Sequence, residues 1–299
     1  VEKTVSIILA LFMLLLFACK ARPEDQPSDE YYPETAEHNR IQSTPRSDSS
    51  DAASLDLKEL KAYQYSWSES DKMPPLVVVI DDFGQNAGQL LDDFTTLPKE
   101  IAFAILPDLP HTQTVARLAD RTGHEVLIHI PMQAEGSANP GKRYIKKGME
   151  KAEISDLLQD FFAQVPNAIA ANNHMGSATT ADYKTIYAVL GELQELGLYF
   201  LDSATTGKSA VPSAAANLNL KTAKRDIFLD VPDNSDATLI AKIQSLGKYK
   251  GRNEPIVIIT HCHNRDKLNA LHKFLAQVSD MGIELIPPSK LFRKLSPPT

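Results

Sequence analysis

From Leu76 onward, short apolar runs alternate with longer amphipathic stretches. The runs "LVVVI" (76–80), "IAFAIL" (101–106), "EVLIHI" (125–130), "AIAANN" (168–173), "LYFLD" (198–202), "IFLD" (227–230), "PIVIIT" (255–260) and "IELI" (283–286) predict strands. Continuous Val/Ile runs suit strands covered on both faces. Between them, "AGQLLDDFTTL", "SDLLQDFFAQV", "YKTIYAVLGELQEL" and "KLNALHKFLAQVSDM" carry helical periodicity, the last stopping at Gly282. Such alternation implies parallel strands joined by right-handed crossovers. It fits an α/β fold, a (β/α) barrel of seven or eight units, or alternatively an open doubly wound sheet.

The polar residues that close these runs favour the barrel. Asp81 and Asp82 follow the first strand and His129 ends the third. Asn172, Asn173 and His174 end the fourth, Asp202 and Ser203 the fifth, Asp230 the sixth, and His261 and His263 the seventh. Barrel active sites lie at the C-terminal strand ends. In an open sheet ordered as in sequence, the first and seventh strands would lie roughly 29 Å apart. A site shared between them requires the sheet to curl.

The N-terminal quarter patterns differently. "VSIILALFMLLLFACK" has the length of a signal-peptide apolar core and is short for a membrane span. "LFAC" resembles a bacterial lipoprotein signal, which predicts lipidation at Cys19 after removal of the segment before it. An uncleaved N-terminal anchor is the alternative. Either places the remainder outside the cytoplasm, in the cell envelope. Residues 20–75 are rich in Ser, Pro, Asp and Glu and too poor in apolar residues to offset ordering entropy, so a flexible tether is expected. The domain expectation is therefore 1–19 signal, 20–75 tether, and 76–299 folded barrel.

Charge and cysteine count exclude other classes. The net charge of −7 leaves no basic stripe for phosphates, so no nucleic-acid partner is expected. The cluster at 142–151 reads as a solvated loop. Two cysteines, Cys19 and Cys262, cannot build a disulfide framework or a cysteine zinc site. Cys262 reads as a small buried residue.

Spacing sorts the histidines. His124 and His129 lie about 16 Å apart along a regular strand, so His124 is structural. His261 and His263 have the period-two spacing of one strand face. His38, His111 and His272 read as surface residues. Asp82, His129 and His174 together form a ligand set for a catalytic divalent cation, zinc first, with room for water and substrate. Strand alternation turns Asp81 away from Asp82, so Asp81 is available to accept a proton. His261 is the candidate acid, with Asp202 placed to orient it or raise its pKa.

The motifs "VIDDFG", "GHEVLIHIPM", "NNHMGS", "FLDSATTGKS", "KRDIFLD" and "IITHCH" resemble the divergent polysaccharide deacetylase family over roughly 75–292. The resemblance implies a distorted (β/α) barrel and a metal-dependent hydrolase acting on an acetylated glycan. It implies that Asp81 is the base, Asp82 and His129 bind metal, and His261 is the barrel's catalytic histidine. Gln133 stands where the wider superfamily has its second metal histidine, and His174 is expected to replace it. The superfamily's Arg-x-Pro-Tyr motif has no counterpart. Asn173, Ser203, Asp230 and His263 are candidates for contacting substrate. The alternative function is a catalytically silent glycan-binding or envelope-assembly lipoprotein on the same fold.

Overall fold

The computed structural model describes residues 72–292. The predicted signal, Cys19 and all but the last few residues of the predicted tether lie outside them. Among the described residues, no helix is long and apolar enough to cross a membrane.

Eight strands form one parallel sheet: β1 Leu76–Phe83, β2 Ala102–Ile105, β3 Val126–Met132, β4 Ala168–Met175, β5 Tyr199–Asp202, β6 Thr222–Lys224, β7 Ile227–Phe228 and β8 Ile256–His261. Their spatial order is β6-β5-β4-β3-β2-β1-β8-β7. β1 thus pairs directly with β8, with Asp81 in register with His261. The edges are β6 and β7, consecutive in the chain yet unpaired with each other. The result is a curled half-barrel with a seam between them, the distorted form of the expected (β/α) barrel. Two expectations change. The run 283–286 makes only an isolated bridge, Leu285 to Leu76. β6, a short strand in "LKTAKRD", carries too little apolar pattern to announce itself.

Nine α-helices and a 3-10 turn, Leu246–Tyr249, complete the described residues: α1 Gln89–Phe94, α2 Thr112–Thr122, α3 Lys151–Gln164, α4 Ser177–Thr180, α5 Tyr183–Glu195, α6 Val211–Leu218, α7 Asp236–Ser245, α8 Arg265–Asp280 and α9 Ser289–Phe292. Side-chain caps start the longer ones where the sequence provides them. Asp182 accepts from Thr185 N at α5, and Asn264 accepts from Lys267 N at α8.

All eight β1 residues are buried, and alternate side chains serve two cores. Val78 and Ile80, with Phe103, Ile128 and Ile130, pack against helix residues such as Phe94, Leu158 and Phe274. Val77 and Val79 join Ala102, Ala104, Leu127, Ala170, Leu201, Val257 and Ile259 on the inner face. Alanine at three of these inner positions suits the tight space inside the curl. Four of these inner rows continue, two residues on, into a polar side chain: Val79 into Asp81, Leu127 into His129, Ala170 into Asn172, Ile259 into His261.

Candidate active site

Asp82, His129 and His174 each offer a ligand atom, all within 4.8 Å of one another. Asp82 Oδ1 lies 3.1 Å from His129 Nε2 and 3.0 Å from His174 Nδ1. Neither approach has hydrogen-bond geometry, and the buried Oδ1 has no hydrogen-bond donor. Two ring nitrogens and one orphaned carboxylate oxygen facing a common space fit a divalent cation in donor chemistry and number. The other oxygen, Oδ2, meets His263 Nε2 at 2.7 Å.

Asp81 was expected to turn away from Asp82, and it does not. The β1–β2 register shifts between Ile80 and Phe83, and Asp82 takes a left-handed φ of 70°. Aspartate tolerates that conformation better than most residues. This bulge breaks the alternation and re-aims Asp82, a familiar use of bulges beside sites. Both carboxylates now face His129, with Asp81 Oδ2 at 3.6 Å from its Nε2.

His261 pairs with Asp230, not Asp202. Its Nδ1 lies 2.9 Å from Asp230 Oδ2, which also accepts from Lys267 Nζ at 2.8 Å. Asp230, expected at the substrate, is thus engaged by His261 and Lys267. The carboxylate of Asp202 accepts from Ala204 N and Ser209 Oγ and organises its own loop. Parity explains the swap. Asp202 shares the strand face of Phe200, toward the helices, whereas Asp230 lies two residues after inner-face Phe228.

Parity also decides between the paired asparagines. Asn173, a candidate substrate contact, is buried, donates to Met175 O and accepts from Ser203 N, so it fastens the turn after β4. Ser203 is 1% exposed, and its Oγ lies 3.3 Å from Asn172 Nδ2. His263, about half-exposed, is on Asp82. The residue missed in the sequence is Asn172. It is fully buried, 2.9 Å from both His129 Nδ1 and Asp81 Oδ1. Counting by twos from Ala170 would have found it.

Gln133 is absent from the triad. Its side-chain oxygen accepts from Lys147 N, and its carbonyl accepts from Ala178 N and Thr179 N. It clamps the loop after β3 to α4, while His174 enters from β4. His124 is buried as expected, with Nδ1 on Ile101 O at 2.8 Å, and His272 is exposed; His111 is half-buried, and His38 lies outside the described residues. Cys262 is buried, and burial pushes its thiol well above the ordinary range.

The charges are set by burial and by one another. Burial raises the Asp81 carboxyl, with Asp82 adding to it, and His129 and His261 only partly offset that. For Asp82, the cost of burial is outweighed by His174, His129 and His263, which hold it well below the carboxylate range. Burial disfavours charge on His129, yet Asp81 and Asp82 lift its pKa. Burial disfavours charge on His261 too, but Asp230 raises it to about 9. The two carboxylates thus differ in basicity although adjacent.

The profile of the divergent polysaccharide deacetylase family matches residues 78–292. The chain belongs to that family. It is similar to the uncharacterized protein YibQ of Escherichia coli K12, 36% identical over 63% of this chain and 58% of that one. An uncharacterized protein of Haemophilus influenzae Rd is 33% identical over 62% of this chain and 66% of its own length. The chain therefore spans less than two thirds of these curated relatives. The fold resembles the crystal structure of an uncharacterized protein from Agrobacterium tumefaciens C58, with TM-score 0.67 and 22% identity over 78% of this chain and 94% of that one.

Proposed function

We propose that this family member is a metal-dependent hydrolase that removes acetyl groups from an envelope or extracellular glycan. The observation that carries the reading is the inner-face convergence of Asp82, His129 and His174 beside Asp81 and the His261–Asp230 pair. Asp82, His129 and His174 would hold the cation, zinc by ligand preference. When bound it supplies Lewis acidity to the acyl carbonyl and makes water a better nucleophile at neutral pH.

The chain's own groups handle the protons. Asp81, the more basic carboxylate, accepts a proton from the attacking water. His261, held by Asp230 and charged at neutral pH, gives a proton to the departing nitrogen or oxygen of the sugar. Acetate and a free amine or hydroxyl result, with one water consumed. Gln133 does not weaken the reading, because His174 brings the second imidazole. The apolar segment and "LFAC" at 16–19 support lipid anchoring through Cys19 at the bacterial envelope, outside the cytoplasm.

The test is acetate release from acetylated chitooligosaccharides, peptidoglycan fragments and acetylxylan by protein loaded with zinc, cobalt or nickel. Release from at least one is expected, with metal content lost in Asp82→Ala. Protein that binds metal and glycan but releases no acetate would move the assignment to a glycan-binding protein.

A further inference from the structure

Asn172 touches both halves of the site. Its amide has one acceptor and two donor hydrogens, and the structure engages all three: Oδ1 at 2.9 Å from His129 Nδ1, Nδ2 at 2.9 Å from Asp81 Oδ1 and 3.3 Å from Ser203 Oγ. An ionised carboxylate only accepts, so the amide nitrogen must be the group on Asp81. The amide oxygen then falls on His129, and an oxygen there requires His129 Nδ1 to carry a proton. Nε2 is then the nitrogen whose lone pair can go to a cation beside Asp82 Oδ1, 3.1 Å away. The same bond occupies Asp81 Oδ1 and leaves Oδ2 as the oxygen turned toward the triad.

We propose that Asn172 is a positioning residue that makes two choices with one amide: Nε2 of His129 becomes the ligating nitrogen, and Oδ2 of Asp81 the proton-accepting oxygen. A flipped amide would set oxygen against carboxylate and nitrogen against Nδ1, reversing both. Asn172 is fully buried and Ser203 Oγ takes its second hydrogen, so neither rotation nor water can relieve a flip. The meaning of this lock for turnover rests on the hydrolase reading above; the proton position on His129 does not.

The experiment uses full-length protein with 15N-labelled histidine. In metal-free wild type, long-range proton–nitrogen spectra should show a slowly exchanging proton on His129 Nδ1. With cadmium bound, the metal–nitrogen coupling should appear on Nε2. Asn172→Leu, of the same branched shape, should lose the slow Nδ1 proton and weaken cobalt binding about 10–100-fold, the usual effect of removing a ligand's supporting group. Its turnover at saturating cobalt should fall further, because Asp81 is also released. A wild-type proton found on Nε2 alone would overturn the proposal, whatever the metal result. So would Asn172→Leu binding cobalt as tightly as wild type with coupling unchanged. Absence of any cation uptake by wild type would instead sink the hydrolase reading, and the wild-type proton position would still decide the role of Asn172. Because that measurement needs no variant, the test survives if Asn172→Leu fails to fold.

Discussion

At the scale of single residues, the site depends on unequal environments for similar groups. Asp81 and Asp82 are neighbours, yet only Asp82 is surrounded by three imidazoles. Asp81→Asn should therefore keep most metal, measured by elemental analysis, while turnover falls about 10²–10⁴-fold, the usual share of a general base. Equal loss of metal and rate would place Asp81 among the ligands instead. His261 leads to a pH prediction with a definite sign. Its raised pKa of about 9 means that it is charged, and able to donate, below that value. The rate should fall as pH rises through about 9. Asp230→Asn removes the carboxylate that lifts His261, so the alkaline fall should move to lower pH. A pH–rate profile unchanged in Asp230→Asn would dissociate the pair.

At the scale of elements, the site is built by what happens just after strands stop. β1 ends in a bulge and β4 in a turn through Met175 and Gly176, with φ of 53° and 92°. This turn follows His174 directly. A Cβ at Gly176 would meet Met132 Cβ at 2.9 Å, and the positive φ adds its own penalty. Gly176→Ala should lower stability by about 1–3 kcal/mol, the cost typical of a forced backbone. It should also loosen metal binding through His174. Thermal denaturation and metal content check this, and wild-type values for both would show that the turn is not under constraint. The loop clamped by Gln133 is the second such device. It gives Gln133 a structural task, while His174 brings the second imidazole.

At the scale of the whole molecule, the two cores found among the described residues lie within 76–292. A fragment of residues 72–299 should melt within about 2 °C of the longer protein, the shift given by less than about 1 kcal/mol in a domain of this size. A larger drop would assign a stabilising role to the segment before it. Cys19→Ser should release the protein from membranes on fractionation, because each buried lipid methylene contributes about 0.8 kcal/mol. Full retention with membranes would favour an uncleaved anchor.

By itself the sequence determined the alternating strand–helix order and the polar residues that close each strand, since both follow from local pattern, and donor chemistry named Asp82, His129 and His174 as a ligand set. Period-two counting from the inner apolar rows also carried Asn172 and Asp230, although the strand-end reading favoured Asn173 and Asp202. Only the tertiary structure decided the rest. The bulge at Asp82 turns both carboxylates to one side, which strand alternation alone forbids. The seam falls between β6 and β7, while β1 and β8 pair and set Asp81 beside His261. The physical reason is that which strands become neighbours, and where a backbone gives up its alternation, depends on packing between residues far apart in the chain.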